Sequence, residues 1–524
     1  MLAAGALGLT LQAAAANLRI ASAFDPQTMD PHALALLYHS RVVFQVYDSL
    51  VNRDEHYQLE PSLATSWRAV GPTTWRFTLR PGVRFHDGTP LRVEDAVFSV
   101  QRALAAPSQR AFQLNGVTGA RKVDEQNFEI LLAAPDAVLP EKLTTLAMMS
   151  EAWAQKHGVE RAQDFNAKQE TFAVRNANGT GPYRLERYEP DVRAVLQRNP
   201  RWWGAGAKPA RIGNLGNVGN VDEVTWLPIR SDPTRLAALL SGEVDLVLDP
   251  PAQDIDRLKA DARLSVLQIP DLGQQYFTFD QARDELEFSD VKGKNPFKDL
   301  RVRQAVYHAL NIELIVAKVL RGQAVATGAF LSSKVDGAPA ELDKRLPYDP
   351  ARARALLRDA GYPNGLGVTL DCVNVAWRAA VCQAASAMLT QVGIRTTLRS
   401  SPTNQFFPKL SQGSASFIEY GWTPNPDAWA SLNGLFRSWD AGGHGQFNAG
   451  RYRNPKLDAV IDAVQVEPDL VRRRAMVGAA LRTVHEDLPY IPLYRRTLNW
   501  AMAKKVQAVQ WPNDTIELRW VRVQ

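Results

Sequence analysis

The spacing of apolar positions switches repeatedly between period two and the helical period, which predicts a mixed α/β protein. Val192–Leu196 alternates apolar and polar residues and predicts a strand, as does Val244–Leu248. Helices between such segments carry their own start and stop signals. In Tyr348–Tyr362, Asp349 is placed to cap, Pro350 suits the first turn, and Gly361 suits the left-handed position after the last. Leu356, Leu357 and Ala360 then share one face. Asp232, Pro233 and Gly242 repeat this grammar around Leu236, Leu239 and Leu240, and Asn454 and Pro455 repeat it before Leu457, Val460 and Ile461. A helix is predicted over Asp299–Leu310, and a second from a cap at Asn311 to Gly322. Gly213–Asn220, rich in glycine and asparagine, reads as a surface loop.

Composition narrows the class. A chain of 524 residues holds about three domains. With 45% hydrophobic and 22% charged residues it fits a globular protein. The net charge of +6 comes from 61 basic and 55 acidic side chains that are scattered, and the run Arg472–Arg474 sits inside an amphipathic helix pattern. That distribution argues against a nucleic-acid partner, which calls for a basic stripe. Met1–Ala16 is apolar and too short to span a bilayer, and Ala14-Ala15-Ala16 before Asn17 resembles an export cleavage site. Residues 1–16 therefore read as a signal-peptide remnant. No Lys or Arg precedes Arg19, and a start upstream of Met1 would supply the missing basic region. The two cysteines, Cys372 and Cys382, lie far from the N-terminus, so a freely soluble mature protein without a lipid anchor is expected.

Few residues nominate chemistry. Gly213, Gly216 and Gly219 are spaced as in some phosphate loops, but Val221–Leu227 after them alternates like a strand, and a phosphate loop needs a helix there. His86-Asp87-Gly88 reads more simply as a turn than as a metal or acid–base site. There is no His-Glu-x-x-His run and no Gly-x-Ser-x-Gly elbow. No metal or cofactor site is expected. Cys372 closes a predicted strand, Leu366–Cys372, and Cys382 sits early in a helix that runs to about Gln391. In an oxidising compartment the pair can bond or remain two thiols. Trp202, Trp203, Trp377, Trp422, Trp429 and Trp439 sit in or near loop-like segments. Within Gly421-Trp422-Thr423-Pro424-Asn425-Pro426-Asp427, two prolines stiffen a loop that carries an aromatic ring and a carboxylate. That suits a cationic or zwitterionic organic ligand. Equally, Asp427 can cap a helix starting at Ala428.

The segment Trp67–Leu104 contains Trp75-Arg76-Phe77-Thr78-Leu79-Arg80-Pro81-Gly82-Val83-Arg84-Phe85-His86-Asp87-Gly88-Thr89-Pro90, followed by Glu94-Asp95-Ala96-Val97-Phe98-Ser99. This resembles the signature of the extracellular solute-binding proteins of family 5, the peptide- and nickel-binding components of ABC importers. Further matching runs are Gly179-Thr180-Gly181-Pro182-Tyr183, Asn199-Pro200-Arg201-Trp202-Trp203-Gly204, Leu239-Leu240-Ser241-Gly242-Glu243-Val244-Asp245, Arg301-Val302-Arg303-Gln304-Ala305 and Pro489-Tyr490-Ile491-Pro492-Leu493-Tyr494. The dipeptide/oligopeptide-binding type is the most similar. Arg92 stands where the family places a capping Thr, and Asn311 replaces the usual Asp. The gap between Cys372 and Cys382 is two residues shorter than in relatives. The Trp422 loop lacks the first carboxylate with which peptide-binding relatives hold a ligand's α-amino group; Asn425 is nearest to that place and Asp427 lies two residues on.

The resemblance implies an α/β, two-lobed periplasmic-binding-protein-like fold (class II) with an extra domain inserted in the first lobe. By analogy, lobe I collects residues 17–50, 176–269 and 488–524, the extra domain is 51–175, and lobe II is 270–487, with hinge crossings near Pro270 and Leu488. It implies a monomeric periplasmic protein that captures a small peptide or peptide-like ligand between its lobes and delivers it to an ABC permease in the membrane, with no enzymatic step. The residues expected to meet ligand are Trp422, Asn425, Asp427, Tyr276, Trp377, Arg378 and His444, with Asp30-Pro31 of the first lobe facing them. Glutathione, an opine, a nickel chelate or an oligosaccharide are alternative ligands, and an extracytoplasmic hydrolase is the alternative from another class.

Overall fold

The computed structural model describes residues 16–205 and 219–524, apart from 403–404, 407–408, 411, 425–426 and 441–443. The signal-peptide reading of residues 1–15 and most of the glycine-rich loop lie outside these residues.

The first lobe is built on the strand Asn17–Ser22, whose Leu18 and Ile20 are fully buried. It runs parallel to both Glu223–Pro228 and Leu246–Val247, and the antiparallel strands Arg193–Arg198 and Tyr183–Glu189 extend the sheet beyond Glu223–Pro228. The second lobe has the sheet order Ile394–Ser401, Leu366–Val373, Phe417–Trp422, Gln274–Phe279. Its core gathers Phe277, Phe279, Phe297 and Phe417 with the inner face of the helix Leu300–Ala309.

One strand belongs to both lobes. Tyr490–Ala503 pairs through Tyr490–Tyr494 with Gln274–Phe279 of the second lobe, and through Thr497–Ala503 with Leu264–Pro270 of the first. The chain therefore crosses twice, side by side: once at 271–273 and once at 495–496, where the Asp271 N–H donates to the Arg496 carbonyl at 2.8 Å. The second crossing falls inside a continuous strand, several residues beyond the expected position near Leu488. Leu488 itself ends the helix Leu470–Asp487 at φ 45° and packs into the second-lobe core.

The extra domain is a four-stranded antiparallel sheet, ordered Ala64–Gly71, Thr74–Leu79, Asn127–Leu132, Val117–Lys122, covered by the helix Val93–Leu104. Trp75, Phe77 and Leu79 are buried in alternation along their strand, and Val93, Ala96 and Val100 meet them from the helix. Arg92 gives that helix no side-chain cap; instead the Asp95 carboxylate accepts the Arg92 N–H at 2.8 Å.

The domain is clamped to the first lobe. Arg102 forks onto Asp30 at 2.8 and 2.7 Å, and both side chains are wholly buried. Burial alone would raise the Asp30 carboxyl, but Arg102 outweighs it and holds the group at about 2. His86 packs its Nε2 against the Gly181 carbonyl at 3.0 Å, so the His86-Asp87-Gly88 turn joins domains. The glycines of Gly179–Tyr183 have a steric reason. A Cβ on Gly179 would lie 2.0 Å from the Val46 carbonyl oxygen, and one on Gly181 2.7 Å from that of Gln45.

The helix start signals mostly act as read. Asp349, Asn454, Asp299 and Asn311 each accept a backbone N–H of the first turn. Two differ: the helix Asp232–Ser241 is capped by Ser231, one residue earlier, and the helix from Asn311 stops at Lys318 rather than running to Gly322.

Candidate functional site

A cavity of about 450 Å3 lies between the lobes. One wall comes from the first lobe and extra domain: Ser40 and Phe44 of the helix Leu37–Val46, Asp48 just after it, Arg110, and the C-terminal residues Trp511–Arg519. The other wall is Asp271, Leu272, Thr423, Pro424 and Arg496 from the crossings and the second lobe. The volume suits a ligand of small organic size.

The cavity is rich in buried charge, most of it paired. Arg41 bridges Asp514 at 2.6 Å and Asp249 at 3.1 Å. Burial nevertheless raises the Asp514 carboxyl to about 6. Arg519 donates to Glu517 at 2.9 Å and Glu60 at 2.7 Å, yet burial raises Glu517 to about 7. Arg53 pairs with Glu141 and lies over the Tyr57 ring at 4.3 Å. Across the cavity Arg496 pairs with Asp271 at 3.3 Å. Burial also raises Asp48, although the indole N–H groups of Trp202 and Trp203 and the Thr180 hydroxyl all donate to it.

The residues expected to meet ligand are distributed differently. Trp422 ends the strand Phe417–Trp422 and donates its indole N–H to the Ser431 hydroxyl at 2.9 Å, its ring 5.1 Å from that of Phe447. Its neighbours Thr423 and Pro424 line the cavity. Asn425 lies outside the described residues. Asp427 is buried: it caps the helix Ala428–Ser431 through the Trp429 N–H and pairs with buried Arg473 at 2.7 Å. Its charge is satisfied within the second lobe, so the capping alternative describes its geometry.

Tyr276 is a core residue, its ring edge-on to Tyr420 and Tyr490. Arg378 holds the buried Glu419 through two 2.8 Å hydrogen bonds. Trp377 stands edge-on to Tyr494, with the Arg496 guanidinium 5.8 Å from its ring, and so reaches the cavity only through Arg496. His444 meets the Asn433 side chain at 2.7 Å. Asp30 is sealed beneath Arg102; the first-lobe surface that faces the cavity begins at Ala35. Cys372 and Cys382 are joined by a disulfide, their Cα atoms 6.7 Å apart, within the second-lobe core.

Sequence reasoning missed Asp48, Arg110, Arg496 and the stretch Trp511–Arg519. Asp48 has an indirect signal, the adjacent pair Trp202-Trp203 that it anchors. Arg110 had none: its neighbours in space, Pro31 and Ser40, are 79 and 70 positions away.

Two lobes joined by paired crossings around a charged cavity define a solute-binding protein. Residues 58–443 match the bacterial extracellular solute-binding proteins, family 5 Middle, and the chain belongs to that family. It is thus a periplasmic solute-binding component of an ABC importer that works with membrane permease subunits. It is similar to the glutathione-binding protein GsiB of Escherichia coli (strain K12), with 24% identity over 518 residues, covering 96% of this chain and 93% of the relative. Among solved structures it resembles HbpA2 from Haemophilus parasuis, with TM-score 0.82, 22% identity, and coverage of 97% of this chain and 100% of that one. It also resembles the periplasmic murein tripeptide binding protein MppA in its unliganded open form, with TM-score 0.83, 22% identity and 98% coverage of both chains. Among the described residues no helix is long and apolar enough to cross a membrane.

Proposed function

We propose that this protein captures a small peptide or peptide-like ligand by binding alone, without transforming it. The observation that carries this reading is the interlobe cavity, whose walls offer carboxylates, guanidinium groups and indoles together. Peptides present the complementary set of ammonium, carboxylate and amide groups. Lobe I takes residues 17–50 and 176–269 with the C-terminal segment, the extra domain 51–175, and lobe II 270–487, with Tyr490–Ala503 shared. A ligand that touches both walls favours the closed arrangement through its greater affinity for that state. Trp422, Asn425 and Asp427 then act as one loop: Asp427 fixes its base, and the segment from Trp422 to Asn425 meets the ligand. A second reading within this class is glutathione, favoured by the similarity to glutathione-binding proteins.

Native mass spectrometry of protein isolated from its own host tests the reading, with a co-purified peptide or glutathione as the expected mass. A bound sugar or metal chelate would overturn it. Incubating the pure protein with peptides tests the absence of chemistry, and cleavage would move it to the hydrolases.

A further inference from the structure

We propose that the ligand is a zwitterion whose ammonium is bound by Asp48 and whose carboxylate is bound by Arg110. This rests on the binding reading above and names the charge pattern of its ligand.

Among the described residues, eight charged side chains line the cavity: Asp48, Arg53, Arg110, Asp271, Arg496, Asp514, Glu517 and Arg519. Six are in ion pairs within 4 Å. The two that are not, Asp48 and Arg110, carry opposite charges, and both residues are buried. Charges withdrawn from water are normally paired, because an uncompensated one costs several kcal/mol. A ligand bearing both signs would supply the two missing partners at once.

The geometry of each group fits that role. Among the described residues only one oxygen of Asp48 is used: Oδ2 accepts from Trp203 at 2.6 Å, Thr180 at 2.9 Å and Trp202 at 3.3 Å. Oδ1 has no hydrogen-bond partner among the described residues. Three donors therefore fix the carboxylate in place and leave its second oxygen for the cavity. Arg519 and Arg80 lie within electrostatic reach of Asp48 but make no ion pair with it. Arg110 donates only to neutral oxygens: the Pro31 carbonyl at 3.3 Å, the Gln113 side chain at 2.9 Å and the Ser40 hydroxyl at 3.1 Å. A guanidinium has five N–H groups, so two remain. The indole N–H of Trp511 is buried in the cavity wall without a partner, and a ligand carbonyl would satisfy it.

Among the described residues of the second lobe, Asp427 is taken by Arg473 and Arg378 by Glu419. The charge anchor is thereby moved from the Trp422 loop to the opposite wall.

Isothermal titration calorimetry on the full chain decides this with a panel of free amino acids, Ala-Ala, Ala-Ala-Ala and glutathione, plus the N-acetylated and C-amidated forms of each peptide that binds. For wild type, N-acetylation is expected to weaken binding about 30-fold or more, as for loss of one partner of a buried charge pair. In Asp48→Asn the free and N-acetylated forms should bind alike, and in Arg110→Gln the acid and amide forms should bind alike. Melting temperatures report whether the variants are folded; if one is not, the modified ligands on wild type still decide. Peptide binding by wild type that survives both modifications overturns this inference and leaves the peptide reading intact. Absence of binding across the whole panel overturns both.

Discussion

Asp427→Ala separates the two roles open to this residue, structural cap and ligand counter-ion. In the structure its carboxylate caps the helix Ala428–Ser431 and sits 2.7 Å from Arg473, whose guanidinium makes one other hydrogen bond among the described residues, from Nε to the Val464 carbonyl at 3.2 Å. Side-chain exposure is 2% for Arg473 and 9% for Asp427, so water cannot replace either partner. Losing the cap costs about 1 kcal/mol. Leaving a buried guanidinium unpaired costs about 3 kcal/mol or more. The substitution should therefore destabilise the second lobe by about 4 kcal/mol, which for a unit of this size lowers its melting temperature by about 10 °C. Asp427→Asn keeps the cap and should lose only the ion-pair share. Combining Asp427→Asn with Arg473→Met removes both charges and should recover most of that loss, because no uncompensated charge remains. Urea unfolding followed by tryptophan fluorescence and differential scanning calorimetry on wild type, Asp427→Asn, Arg473→Met and the double variant give the four values of the cycle. If Asp427→Ala stays within about 0.5 kcal/mol of wild type while ligand affinity collapses, the carboxylate serves the ligand and not the helix cap and ion pair.

Three further outcomes are expected. Glu517, buried near Arg519, Glu60 and Asp48, titrates at about 7 instead of 4.5, so its share of stability is intact below pH 4.5 and is lost as pH rises through 7. Glu517→Gln stays neutral, and its unfolding free energy from urea titration should gain on wild type by about 2 kcal/mol between pH 5 and pH 8; parallel profiles would contradict this. Reducing the Cys372–Cys382 bond, which closes a loop of separation 10, should cost the second lobe about 2.5 kcal/mol, read as a lower melting temperature in dithiothreitol and none in Cys372→Ala/Cys382→Ala. Gly181→Ala places a Cβ 2.7 Å from backbone atoms of Gln45 and Val46 and should destabilise by about 2 kcal/mol or more in thermal melts, whereas Gly71→Ala, with open space around it, should cost far less.

Local signals carried much of the fold. The caps at Asp349, Asn454, Asp299 and Asn311 are satisfied by atoms within three residues, so sequence alone specifies them. The alternation Trp75, Phe77, Leu79 fixes which face of its strand is buried, because side chains on a strand alternate with period two. The family, and with it the two-lobed architecture, was equally legible in the Trp67–Leu104 run.

The site was not legible, because its parts meet only through long-range contacts. Tyr276 looked available for a ligand, yet its strand runs between Tyr490–Ala503 and Phe417–Trp422 and its ring is enclosed on both sides. Asp427 looked free beside Trp422 until a helix 46 residues later delivered Arg473. Arg110 and Trp511 carry no mark in the sequence, since a polar side chain is ordinary until burial denies it water and the rest of the chain denies it a partner. Composition, periodicity and caps determined which elements form and what kind of protein they build. Tertiary packing alone decided which charges were neutralised within the protein and which were left facing the cleft.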